Sequence, residues 1–127
     1  MLSGIKVIEI GQVLSAPYAG AVFSDFGAEV IKIEKPGGGD DARQMGHPFR
    51  DGASMEFQDV KRGKRSVVID LKSDAGRAQL FGLLEHADIL IHNLKPGVPA
   101  KLGIDGAALT ARFPRLVYCE MSSFGHR

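Results

Sequence analysis

The chain has 127 residues, with 16 lysines and arginines against 15 aspartates and glutamates, a formal net charge of +1, and one cysteine. That is one domain's length, enough for a core but short for a complete α/β enzyme, and the near-neutral balance excludes the broad basic surface of a nucleic-acid binder. Cys119 alone excludes an internal disulfide and reads as a small buried thiol in an apolar run, while the lack of an apolar leader or of a run of ~20 apolar residues predicts a soluble chain in the cytoplasm, off the membrane.

Ile5 to Ile10, apolar at 5, 7, 8 and 10, is too densely apolar for a half-exposed strand and predicts a central strand covered on both faces. Gly11 to Ser15 predicts a turn. Ser15 then caps a helix with Pro17 in its first turn, Tyr18, Val22 and Phe26 as its inward stripe, and Gly27 as its left-handed stop. Val30 to Glu34 follows as a second strand, parallel to the first through a right-handed crossover. It runs into Lys35-Pro36-Gly37-Gly38-Gly39-Asp40, a junction suited to bringing backbone amides and a lysine to a phosphate.

From Pro36 to Lys64 the apolar pattern lapses, and the segment reads as a long loop. Ser66 to Leu71 is the third predicted strand, and Ser73 caps a helix facing inward through Leu80, Leu83, Leu84 and Ala87. Asp88 to Ile91 is the fourth strand and Asn93 to Gly97 a turn. A short helix beginning near Asp105 buries Leu109 and Phe113, and Leu116 to Met121 is the fifth strand. This alternation predicts an α/β fold, a Rossmann-like doubly wound and mainly parallel sheet, with its ligand site beyond the carboxyl ends of the strands.

Gly11 to Ala16 departs from the G-x-G-x-x-G dinucleotide fingerprint, and Arg62 to Ser66 lacks the upstream glycine and following helix of a Walker loop. Lys61, Arg62, Lys64 and Arg65 read either as a solvated charge run or as an anion site. No aromatics interleave with them as in a nucleic-acid site. His47, His86, His92 and His126 lack metal-ligand spacing, and Asp70 reads as a strand-end hydrogen-bonding group. Residue chemistry alone therefore gives an α/β domain with a phosphate-ligand site and no visible catalytic group.

Four segments in order resemble the start of the family III CoA-transferases, the CaiB/BaiF or formyl-CoA and carnitine CoA-transferase family. They are Leu2 to Glu9 with Ala16-Pro17, Phe26 to Pro36 with Gly39-Asp40, Lys64 to Lys72, and Ala87 to Gly97 running on to Lys101-Leu102-Gly103. Pro114 to Tyr118 and Ser122 to Gly125 keep the family's order.

The resemblance implies a CoA-binding domain over residues 1–127, truncated relative to the family, whose subunits have a second domain and pair as interlocked homodimers. By position it implies CoA contacts at Val13, Ser15, Lys35, Ile69, Lys72, Asn93, Leu94, Lys95 and Lys101. At Lys35 and Lys101 many members carry arginine, so lysine keeps the charge and loses bidentate geometry. The implied reaction exchanges CoA between an acyl-CoA and a small carboxylic acid through an aspartyl-CoA intermediate, with CoA thioesters as substrates and no prosthetic group. The nucleophilic aspartate is expected after Arg127, which makes this chain alone inactive. Two alternatives stand beside this reading. One is the α-methylacyl-CoA racemase branch, which uses a His/Asp pair, and the other is a non-catalytic CoA- or nucleotide-binding module.

Overall fold

Strand β1 (Lys6–Ile10) lies at the centre of a five-stranded sheet in this computed structural model, which describes residues 1–125. The other strands are β2 (Glu29–Glu34), β5 (Arg65–Val68), β6 (Ile89–His92) and β7 (Val117–Glu120). Their order is β5-β2-β1-β6-β7, and every pair is parallel. Helix α1 (Ser15–Asp25) covers one face. Helices α3 (Asp74–Leu84) and α5 (Gly106–Arg112) cover the other, and the predicted doubly wound sheet is thus present.

Period-two alternation assigns each strand residue to a face. Ile8, Ile10, Ile33 and Leu90 pack with Leu80, Leu84 and Leu109 on the α3/α5 side, whereas Val7, Val30 and Ile91 pack beneath α1. Ser73 caps α3 by accepting from Gly76 N–H at 2.9 Å, and Asp105 caps α5 by accepting from Ala108 N–H at 3.1 Å, both as predicted. Gly27 takes φ 97° just past α1, as its stop role requires.

Several expectations fail locally. Leu14, not Ser15, precedes α1, and no side chain caps that helix. Tyr18 and Phe26 are exposed, and the buried positions of α1 are Ala16, Pro17, Gly20 and Ala21, with Ala19 and Phe23 half-buried against the cluster of Val7, Val30 and Ile91. A glycine is needed at position 20, where polar side chains stand below the helix: a Cβ there would lie 2.2 Å from Glu9 Oε2 and 2.9 Å from Lys64 Nζ. The third strand ends at Val68, two residues after which Asp70 Oδ1 accepts from Lys72 N–H at 3.0 Å. Cys119 is only half-buried.

The segment from Pro36 to Lys64 is structured. It contains a 3-10 turn (Asp41–Gln44), a hairpin of β3 (Phe49–Arg50) and β4 (Ala53–Ser54), and helix α2 (Met55–Lys61). Ala42, Ala53 and Phe57 form a small core of their own. The hairpin turns on Asp51-Gly52, both at positive φ, the dipeptide and conformation of a type I′ turn. Helix α4 (Val98–Leu102), also unanticipated, follows β6 with Pro99 in its first turn. No helix among the described residues is long and apolar enough to cross a membrane.

Candidate functional site

The strand order reverses between β1 and β6, so the crevice of a doubly wound sheet opens at their carboxyl ends. Asn93, just after β6, bridges it. Its Oδ1 accepts from Gln12 N–H at 2.9 Å, and its Nδ2 donates to Gln12 O at 2.8 Å and Ser15 Oγ at 2.9 Å. From the β2 side, Asp40 Oδ1 accepts from Val13 N–H at 3.0 Å. Val13 is held at φ 65°, a conformation that crowds a β-branched side chain.

Beside this turn lies a cleft of about 220 Å³. Ile10, Ile33, Ile69, Leu71 and Leu94 supply apolar walls, with Lys35 and Lys72 exposed at the mouth. Apolar walls with cations at the entrance suit a ligand that has a flat or aliphatic part and a phosphate. Two neighbouring clefts flank it. One, of about 540 Å³, is lined by Ser15, Asn93, Leu94 and Lys95, and the other, of about 420 Å³, by Val13, Leu14, Ala42 and Met45. A fourth, of about 670 Å³, sits at the opposite end of the sheet beside Lys6, Arg112 and Arg115.

A buried charge network underlies the site. Lys32 Nζ, 2 % exposed, donates to Glu9 Oε1 at 2.7 Å and to Gly11 O at 2.8 Å, and lies 2.8 Å from Asp40 Oδ2 in an ion pair without hydrogen-bond alignment. Lys64 Nζ donates to Glu9 Oε2 and to Pro17 O, each at 2.5 Å. Burial pushes the Lys64 ammonium below its usual range against the pull of Glu9. Burial would raise the Glu34 carboxyl, but hydrogen bonds from Arg43, Ser66 and the Asp40 N–H outweigh it and bring it to about 2.

His92 is buried at the end of β6, and burial lowers its pKa against the opposing effect of Glu120. Its Nδ1 accepts from Leu94 N–H at 3.2 Å. That bond assigns the proton to Nε2, which stands 2.7 Å from Tyr118 Oη, and Tyr118 in turn donates to Ile104 O at 3.2 Å. Burial, with Glu120 and Asp105 nearby, pushes the Tyr118 phenol up to about 12.

The cation run resolves into separate partnerships. Arg62 pairs with Asp25, Arg65 with Glu29 and Lys64 with Glu9, while Lys61 lies 5.9 Å from the Phe57 ring. Arg62 and Arg65 are exposed, as a solvated run requires, whereas Lys64 is buried against Glu9. Among the described residues no group of three His, Cys, Asp or Glu side chains stands together to hold a metal ion.

The sequence profile of CoA-transferase family III matches residues 2–127. The chain belongs to CoA-transferase family III. It is 45% identical to the succinate–glutarate CoA-transferase of Agrobacterium fabrum over 98% of this chain and 32% of that protein. It is 41% identical to the acetyl-CoA:oxalate CoA-transferase of Acetobacter aceti over 96% of this chain and 31% of that one. A crystal structure of a CaiB/BaiF family protein from Brucella suis superimposes with a TM-score of 0.93 at 40% identity, covering 99% of this chain and 34% of its own. The chain thus spans about a third of the length of the proteins it matches.

In this family III chain the residues nominated from sequence fall into four groups. Lys35, Ile69, Lys72 and Leu94 share the first cleft, and Ser15, Asn93 and Lys95 adjoin Leu94 in the second. Val13 lies on the opposite side of its turn. Lys101 is exposed on α4 and lines none of these clefts. His126 lies outside the described residues.

Sequence reasoning missed Glu9, Lys32 and Asp40 beneath the site. A signal was present, because Lys32 and Glu34 alternate with isoleucines in a strand expected to lie beside one covered on both faces. Charges so placed must find partners.

Proposed function

We propose that this chain supplies the CoA-binding part of an acyl-CoA:carboxylate CoA-transferase that exchanges CoA between an acyl-CoA and a free carboxylic acid. The observation that carries the reading is the apolar cleft at the carboxyl ends of β1 and β2, with Lys35 and Lys72 at its mouth. Its walls fit the aliphatic or heteroaromatic parts of CoA, and its two exposed ammonium groups fit the phosphates. Transferases named for succinate, glutarate and oxalate are its relatives, which makes those acids the first to offer as acceptors.

The proposed exchange begins when an aspartate carboxylate, placed beyond Arg127, attacks the acyl-CoA carbonyl and expels the thiolate, giving a mixed anhydride. The thiolate then attacks the aspartyl carbonyl, releasing the first acid and leaving an aspartyl-CoA thioester. A second carboxylate reverses these steps. The role of the described residues is to hold CoA while both bonds are exchanged.

The test is to supply the intact protein with succinyl-CoA and glutarate and follow new thioesters and protein mass together. Glutaryl-CoA and a CoA-sized adduct on one aspartate are expected. CoA binding without exchange or adduct would contradict the transferase reading, and α-proton exchange in deuterated water would transfer the assignment to the racemase branch.

A further inference from the structure

The turn between β1 and α1 and the first turn of α1 are anchored by buried or bridging side chains. Lys32 holds Gly11 O at 2.8 Å, Asn93 holds both polar groups of Gln12, Asp40 holds Val13 N–H at 3.0 Å, and Lys64 holds Pro17 O at 2.5 Å. Val13, at the middle of the turn, is one of two non-glycine residues among those described with positive φ. The other, Asp51, sits in a hairpin turn where that conformation is ordinary, whereas a valine at φ 65° is strained and persists only if its surroundings impose it.

Asp40 is built for that imposition. Its side chain is 1 % exposed, its Oδ1 accepts from Val13 N–H and from Ala42 N–H, and its Oδ2 faces the Lys32 ammonium at 2.8 Å. Its own N–H donates to Glu34 Oε2 at 2.8 Å, which ties the glycine loop to β2. At Gly39 a Cβ would meet that same Glu34 oxygen at 2.1 Å, and φ there is +72°, so the approach of Asp40 depends on glycine.

We infer that Asp40, oriented by Lys32, is a positioning residue that holds Val13 in its left-handed conformation and thereby fixes the turn dividing the two clefts beside β1. The inference rests on the CoA reading of the first cleft for its functional consequence. It assigns the glycine loop a mechanical role, in that the loop brings a buried carboxylate to the backbone of the neighbouring turn instead of presenting its own amides to phosphate.

The test is a double-mutant cycle in the intact protein, read by calorimetric titration with CoA and by thermal midpoint. Asp40→Asn keeps an acceptor for the two N–H groups but sets an amide NH2 against the Lys32 ammonium. Val13→Gly removes the need for restraint, because glycine takes positive φ freely. Asp40→Asn is expected to weaken CoA binding about tenfold when residue 13 is valine and less than about twofold when it is glycine. Equal losses in both backgrounds, or no loss in either, would overturn the inference.

If the parent protein does not bind CoA, the CoA reading fails and the midpoints decide the clamp alone. A smaller destabilisation by Asp40→Asn in the glycine background supports it, and additive shifts overturn it. If Asp40→Asn does not fold with valine at position 13, recovery of folding in the double variant supports the clamp, and failure of both overturns it.

Discussion

Lys35 and Glu34 are adjacent in sequence and have opposite tasks. Lys35 is exposed at the cleft mouth and pairs with Asp41, which is also exposed, at 2.5 Å. Such a pair contributes little to stability and leaves the ammonium available to a phosphate. Lys35→Ala should weaken CoA binding about three- to tenfold with little change in thermal midpoint, and unchanged affinity in a CoA titration would remove Lys35 from the site.

Glu34 faces inward and is held at about 2 by Arg43, Ser66 and Asp40 N–H despite its burial. Its folded pKa lies below the ordinary value of 4.5, so its contribution to stability is complete above pH 4.5 and is lost as pH falls through about 2. Glu34→Gln should therefore be less stable than the parent near neutral pH, on the order of 2 kcal/mol, with the gap closing between pH 4.5 and 2. Thermal midpoints measured across that range should converge, and parallel curves would show that the carboxylate is not selectively stabilised.

Among the elements, α1 shows why packing, rather than periodicity, sets a helix face. Tyr18 is exposed although it falls on the helical period, while Phe23 packs half-buried against the cluster of Val7, Val30 and Ile91, and where the helix passes over Glu9 and Lys64 only a small residue fits. Gly20 is the closest approach. Gly20→Ala should lower stability by about 2 kcal/mol, since its methyl would displace the Glu9 carboxylate and the Lys64 ammonium. Gly82→Ala in α3, where nothing lies within 4 Å, should raise stability by up to about 1 kcal/mol. Denaturant midpoints of both variants check this, and shifts of the same sign would refute the packing argument.

The strands and the capped helices were legible because their signals are local: β-rich apolar runs, Ser73, Asp105 and Gly27. The region from Pro36 to Lys64 was not, because its small core draws on Ala42, Ala53 and Phe57, too widely spaced to form a periodic pattern. One local signal in it, the Asp51-Gly52 turn, was readable. The buried network was half-legible, since a strand covered on both faces implies that Glu9 within it is paired, whereas its partners Lys32 and Lys64 come from other elements.

At the scale of the whole molecule, the sheet ends in two open parallel edges, β5 and β7, with Val67, Val68 and Val117 exposed, and Tyr18 on α1 and Phe26 just after it are also exposed. We propose that further polypeptide, in the interlocked homodimer that the family resemblance implies, covers these apolar surfaces. Light scattering of the intact protein should give twice the subunit mass, and a monomer would contradict that assembly.

We propose that CoA binds in the first cleft, between the turn that follows β1 and the loop that follows β2. The most direct measurement is a crystal structure of the intact protein with CoA at saturating concentration. CoA should lie against Ile10, Ile33, Ile69 and Leu94, with its phosphates within reach of Lys35 or Lys72. CoA bound at the opposite end of the sheet, beside Arg112 and Arg115, or a cleft left empty at saturation, would contradict it.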